Sequence, residues 1–178
     1  MKTLSLLRHA KSSWDDPVER DFDRPLNGRG RRAAQRIGQF LREEGLAFDA
    51  IIASPALRIR QTIEGVEAGL GMRLPAGFEK RIYMASATSL FALVQEHDDA
   101  VGHLLMIGHN PGLEDMVLLA TEGHPNAIRA EAELKYPTAA LATMVFAGDR
   151  WADAGEGGAV LTRFVRPRDL DPSLGPDD

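Results

Sequence analysis

Residues Thr3 to Ala10 read T-L-S-L-L-R-H-A, and this stretch constrains the fold more than any other. An apolar run rises from the N-terminus and stops on adjacent Arg8 and His9. Such a run fits a strand buried on both faces, as in a parallel sheet covered by helices. In open α/β sheets, ligands bind beyond the carboxyl ends of the strands. Arg8 and His9 fall at such an end. A guanidinium beside an imidazole there suggests an anionic ligand and a nucleophile or proton carrier. Taken alone, the pair reads more readily as an ion-paired arginine and a satisfied core histidine; the rest of the chain reverses that balance.

The pattern alternates strands and helices. Residues 14–27 are polar and carry Pro17 and Pro25, which reads as a loop. Asn27 and Gly28 open a helix of roughly fourteen to eighteen residues, with Ala33, Ile37, Phe40 and Leu41 on one face and Gly45 as its stop. Phe48 to Ala53 is a second strand, followed by a helix from about Ala56 to Leu70 that Gly71 closes. Residues 78–84 carry a weak strand or loop signal, and 86–96 look helical behind a Ser86 or Thr88 cap. Gly102 to Ile107 is a third strong strand, followed by Gly108-His109-Asn110-Pro111-Gly112 and a helix from Leu113 to about Thr121. The stretch 121–138 is expected as loop. Ala139 to Ala147 and Ala159 to Val165 are the last two strands, joined by a turn at Gly155 to Gly158. The expected architecture is a three-layer α/β/α fold with a mostly parallel central sheet and an antiparallel strand from the closing hairpin.

Bulk composition narrows the function classes. The chain has 178 residues, 44% of them hydrophobic, no cysteine, and a net charge of -5. One domain over residues 1–166 fits this length, with a proline- and aspartate-rich tail at 167–178 that is expected to fray. Without cysteine there is no disulfide, no thiolate chemistry and no thiolate metal site. The negative charge disfavours a nucleic-acid partner. No stretch of about 18 apolar residues suggests a membrane span. The N-terminus lacks the shape of a signal peptide, so the expected setting is the cytoplasm.

Three strand ends carry related chemistry. The first gives Arg8 and His9; the second gives Ser54-Pro55, with Arg58 about one helical turn along; the third gives His109 and Asn110. Parallel neighbours would gather two arginines and two histidines on one sheet edge. The remaining histidines, His97, His103 and His124, supply no metal-ligand spacing, so no metal and no cofactor are expected. Arg29, Arg31 and Arg32 read as a solvated helix face.

Four segments in order resemble the histidine phosphatase superfamily, which includes the phosphoglycerate mutases. They are L-L-R-H-A at the first strand, Pro25-Leu26-Asn27 through Gly30, Ser54 to Thr62 as S-x-x-x-R-x-x-x-T, and Gly108-His109. Within that superfamily, R-H-A-K-S-S-W and G-H-N-P-G are most similar to the SixA-type phosphohistidine phosphatases. The similarity extends to Pro137-Thr138-Ala139 and Arg166-Pro167-Arg168. A phosphoglycerate mutase-like fold is what this resemblance implies. It also implies a metal-independent phosphatase in which His9 is the nucleophile and forms a phosphohistidine intermediate that water hydrolyses. Arg8, Arg58 and His109 would bind the phosphoryl oxygens, with Ser12 and Asn110 as further substrate contacts.

The resemblance leaves the general acid open. One branch places an aspartate after the second histidine, where this chain has Asn110. Another uses a glutamate, for which Glu79 is the nearest candidate. Asp15 follows Trp14 where the mutases carry asparagine, which argues against a sugar-phosphate mutase. A phosphorus–nitrogen bond asks less of an acid, so the expected substrate is phosphohistidine, as on a phosphorylated protein, or a similar activated phosphoryl group. A small phosphorylated metabolite, handled by a phosphomonoesterase of the same fold, is the alternative; a non-catalytic phosphate-binding module is another. A nucleotide-binding fold lacks its G-x-G-x-x-G after the first strand.

Overall fold

The computed structural model describes residues 1–15, 17–18 and 20–176. Residues 16 and 19 of the expected 14–27 loop, and 177 and 178 of the expected tail, lie outside them. Strand β1 spans Lys2–Arg8, helix α1 Gly28–Glu43, β2 Ala50–Ala53 and α2 Leu57–Leu70. A two-residue β3, Gly77–Phe78, precedes α3 at Ala87–Gln95 and β4 at His103–Gly108. Next come α4 (Gly112–Ala120), α5 (Ala127–Leu134), β5 (Leu141–Phe146), β6 (Ala159–Val165) and the short α6 (Pro167–Leu170).

The strands form one sheet in the order β3-β2-β4-β1-β5-β6. The first four strands of the chain run parallel, and β5 is antiparallel to both its neighbours. This is the mostly parallel sheet with an antiparallel element that the segment pattern predicts. Alternation along β1 explains its central place. Leu4 and Leu6 join Leu104 and Met106 in a core under α3, α4 and α5. Leu7 points the other way, with Leu105 and Ile107, under α1 and α2. Each such leucine, buried from water, contributes about 1.5–3 kcal/mol, so β1 is anchored from both layers.

Helix α1 starts where Asn27 caps it, its side chain accepting from the Gly30 N–H at 2.8 Å. Its buried stripe, which includes Ala33, Ile37 and Leu41, packs on α2. The two backbones approach so closely that a Cβ at Gly69 would sit 1.9 Å from the Gln35 carbonyl oxygen. Only glycine fits there.

Two expectations are corrected. The 121–138 stretch contains α5, hidden in the sequence because it buries only Ala132; Asn126 caps it. The tail from residue 167 is packed rather than frayed through residue 174. Arg166 and Asp169 form a capping box around Pro167, and Leu174 is buried in the core shared with α1. The expected solvated face of α1 is partly spent here, because Arg29 donates to the Leu174 carbonyl at 2.6 Å. Proline and aspartate suggest disorder by composition, but here they cap a turn and let Leu170 and Leu174 reach α1.

Candidate active site

Parallel register assembles the site. Arg8 lies opposite Gly108, so His9 and His109, one residue further, stand side by side with ring centroids 5.5 Å apart. Ala53 lies opposite Ile107, which brings Ser54 to the same edge. The Ser54 Oγ is 2.8 Å from His109 Nε2. Helix α2 begins at Leu57, so Arg58 projects from its first turn and is buried. The three strand ends expected to converge do converge.

His9 is fixed at every polar atom but one. Its N–H donates to the Gly108 carbonyl at 3.0 Å, and its carbonyl accepts from the Ala139 N–H at 2.9 Å. Ala139 adopts φ 59°, a left-handed conformation that costs a non-glycine residue energy and persists only where the surroundings impose it. The His9 Nδ1 sits 2.7 Å from the Ala10 carbonyl oxygen. A carbonyl can only accept, so Nδ1 carries the proton and Nε2 keeps its lone pair. Burial drives the His9 pKa well below that of a free histidine, and the charges of Arg8 and Arg58 act in the same direction. The imidazole is therefore neutral at neutral pH, as a nucleophile must be.

Thr62 ties this ring to Arg58. Its hydroxyl accepts from the Ala10 N–H at 2.9 Å and donates to the Arg58 carbonyl at 2.6 Å. Arg8 donates to the Tyr136 carbonyl at 3.0 Å, and the Asn110 side-chain amide donates to that same carbonyl at 3.0 Å. The Asn110 side-chain oxygen accepts from the Glu114 N–H at 3.2 Å. Asn110 and Arg8 thus share one acceptor at the rim of the site.

Sequence reasoning missed Asp21 and Tyr83. Asp21 accepts from Arg24 at 3.0 Å through Oδ1, and from Arg58 at 3.0 Å and the Tyr83 hydroxyl at 2.8 Å through Oδ2. Partial burial raises its pKa, but the bonds from Tyr83 and Arg24 and the Arg58 charge outweigh this and bring it to about 2. The Tyr83 ring meets His109 edge-on at 5.4 Å. Asp21 belongs to a short charged turn in a polar loop, where nothing in the spacing separates it from Asp15 or Asp23.

Burial, helped by the Arg58 charge, lowers the His109 pKa to about 3. It therefore donates as a neutral ring. Ser54 Oγ accepts from the Ala56 N–H at 3.3 Å and shares a hydrogen bond with His109 Nε2. Among the described residues, His109 Nδ1 and Arg58 Nε are buried polar atoms without a hydrogen-bond partner. Each such orphan costs about 1–3 kcal/mol.

A cavity of about 460 Å³ opens over these groups, lined by Arg8, His9, Ser12, Arg58, His109 and Asn110 among others. All the expected site residues but one are therefore together. The exception is Glu79, whose carboxylate is held by the Arg81 guanidinium at 3.0 Å and lines neither this cavity nor its neighbour. That bond keeps the Glu79 pKa below the usual carboxylate range, the opposite of what a proton donor needs. The structure thus gives no support to Glu79 as the acid. No cluster of three or more His, Asp or Glu side chains able to hold a metal occurs among the described residues. No helix among them is long and apolar enough to cross a membrane.

The family model of the histidine phosphatase superfamily (branch 1) matches residues 4–82. An uncharacterized protein of Mycobacterium tuberculosis is 37% identical over 164 residues, 91% of this chain and 100% of the relative. A solved structure assigned as the phosphohistidine phosphatase SixA from Nakamurella multipartitia superposes with a TM-score of 0.79 at 27% identity, covering 93% of this chain and 96% of the other. One with the same assignment from Agrobacterium tumefaciens gives 0.75 at 29% identity, over 93% and 98%.

Proposed function

Because the chain belongs to the histidine phosphatase superfamily, in its SixA-type group, we propose that this phosphatase hydrolyses protein phosphohistidine through a phosphoryl intermediate on His9. The observation that carries this reading is the His9 ring itself, with Nδ1 donating to the Ala10 carbonyl and Nε2 left as a neutral lone pair in a cationic cavity. Nε2 attacks phosphorus, and the new N–P bond forms as the substrate's own bond to phosphorus breaks. Water then attacks the phosphorylated His9, releases inorganic phosphate and restores the ring.

Charge on the three peripheral phosphoryl oxygens meets Arg8, Arg58 and the His109 N–H. Planar guanidinium forks suit this charge, and one such donor is worth roughly 10²–10³ in rate. No step needs a metal ion, since the cationic side chains supply the positive charge that Mg²⁺ supplies in other phosphoryl transfers.

The leaving group supports phosphohistidine over an alkyl ester. An alkoxide needs a strong acid, and the two carboxyl positions considered for that role are unsuitable. Asn110 is a carboxamide engaged with Tyr136 and Glu114, and Glu79 is held by Arg81. Turnover of a histidine-phosphorylated protein by the wild type, with loss of that turnover in His9→Ala, is the expected result. Rapid hydrolysis of a simple alkyl phosphate, with phosphohistidine protein untouched, would contradict it.

A further inference from the structure

Beside the phosphoryl cavity, and sharing Arg58, His109 and Asn110 with it, lies a second cavity of about 590 Å³. Its other walls include Asp21, Tyr83, Met84, Ala85, Pro111 and Asp115. Apart from the shared groups, it offers two carboxylates and no cationic side chain. A leaving group that carries its own carboxylate or second phosphate would meet like charge here. A flat ring bearing an N–H would meet the Tyr83 side chain and a hydrogen-bond acceptor in Asp21.

Building on the phosphohistidine reading, we propose that Asp21 is a specificity-determining residue that accepts a hydrogen bond from the unphosphorylated ring nitrogen of the substrate's imidazole. The proton on that nitrogen decides how the ring departs. His9 Nε2 supplies the electron pair of the new N–P bond, and the old bond's pair returns to the substrate's ring nitrogen. With the other nitrogen protonated, the ring leaves as neutral imidazole and no acid has to deliver a proton. Without it, the ring leaves as imidazolate, a far poorer leaving group. Asp21 holds the proton in place, which is how the site works without the acid that Asn110 and Glu79 do not provide.

The surroundings of Asp21 fit this task. Arg24 from its own turn holds Oδ1, while Arg58 from α2 and Tyr83 from the segment after β3 share Oδ2. His109 and Asp115 face the same cavity from β4's end and from α4. A phosphoryl dianion competes for the Arg58 guanidinium, which would free an Oδ2 lone pair for the leaving group's N–H. Asp21 is half exposed and ionised throughout the neutral range, so it acts as an acceptor rather than as an acid.

The test compares phosphoimidazole with p-nitrophenyl phosphate, whose leaving group needs no proton. Asp21→Asn lowers kcat/KM for both, because Arg58 loses an anchor, but lowers it at least tenfold more for phosphoimidazole. The basic limb of the phosphoimidazole pH profile moves about one unit toward acid, since the substrate ring loses its proton more readily. Asp21→Glu, which keeps the charge, retains the wild-type preference within about fivefold and guards against a folding defect. Equal losses on both substrates with the basic limb unmoved would overturn the proposal and leave Asp21 as a positioning residue for Arg58. A wild type that cleaves p-nitrophenyl phosphate but neither phosphoimidazole nor phosphohistidine protein would overturn the phosphohistidine reading along with it.

Discussion

The two adjoining cavities are built on different principles. The cavity at His9 takes its chemistry from strand ends and from the first turn of α2, and its proposed nucleophile, His9, is buried and bonded on every side but one. The neighbouring cavity takes its chemistry from a 3-10 turn and connecting loops, with Asp21 half exposed and Met84 82% exposed. One region is cationic and fixed by the sheet; the other is acidic and apolar and fixed by side-chain contacts. On the proposed function, the difference separates reaction from selection. Changes in the first should slow every substrate alike, and changes in the second should re-rank substrates.

The largest expected effect is His9→Ala. Removing a nucleophile costs roughly 10⁴–10⁶ in kcat in enzymes of comparable design, and the loss should be the same for aryl phosphate and phosphoimidazole. Arg58→Ala comes next, at roughly 10²–10³ in kcat/KM on both substrates. A large change in substrate ranking in that variant would show that Arg58 belongs functionally to the second cavity.

pH separates the regions more gently. As the proposed nucleophile, His9 must be neutral to attack, and its depressed pKa places the expected acid limb of kcat/KM below pH 6.5. A limb at or above 6.5 would contradict the depression. The same shift governs stability. His109 is depressed from 6.5 to about 3, so the unfolded chain binds more protons between those values, and stability is lost as pH falls below about 6.5. The slope is at most about 1.4 kcal/mol per pH unit for each such histidine. Urea denaturation in phosphate-free buffer from pH 7.5 to 5 should show it, and His109→Gln should flatten it.

Thr62→Val sits at the small end. It leaves the buried Ala10 N–H without a partner, costing about 1–3 kcal/mol of stability, and loosens the link between His9 and Arg58. Activity should fall about tenfold with substrate ranking preserved, as a change on the sheet side requires.

Legibility in the sequence followed the same division. Apolar runs that end on Arg8-His9, Ser54 and Gly108-His109 announce strand ends, and parallel register then places those groups without further information. Gly45 and Gly71 mark helix ends that the structure confirms, at φ 63° and 80°. Asp21 and Tyr83 were invisible because they meet through tertiary contacts between a polar loop and the segment after β3, with no periodicity to carry the signal. The same blindness affected α5, whose single buried side chain leaves no amphipathic pattern, and the α6 region, where proline and aspartate concealed a Leu170–Leu174 staple. Glu79 rests on a family resemblance and its place between the second and third strong strands, and Arg81 two residues on takes its carboxylate.

The most direct test of covalent catalysis by His9 is acid-quench trapping with a labelled histidine phosphodonor, the wild type run beside His9→Ala. The predicted result is label on the wild type, stable to alkali and labile to acid as a phosphoramidate is, and no label on the variant. Turnover of the donor by the wild type with no trapped label at any quench time, or equal labelling of the variant, would contradict it.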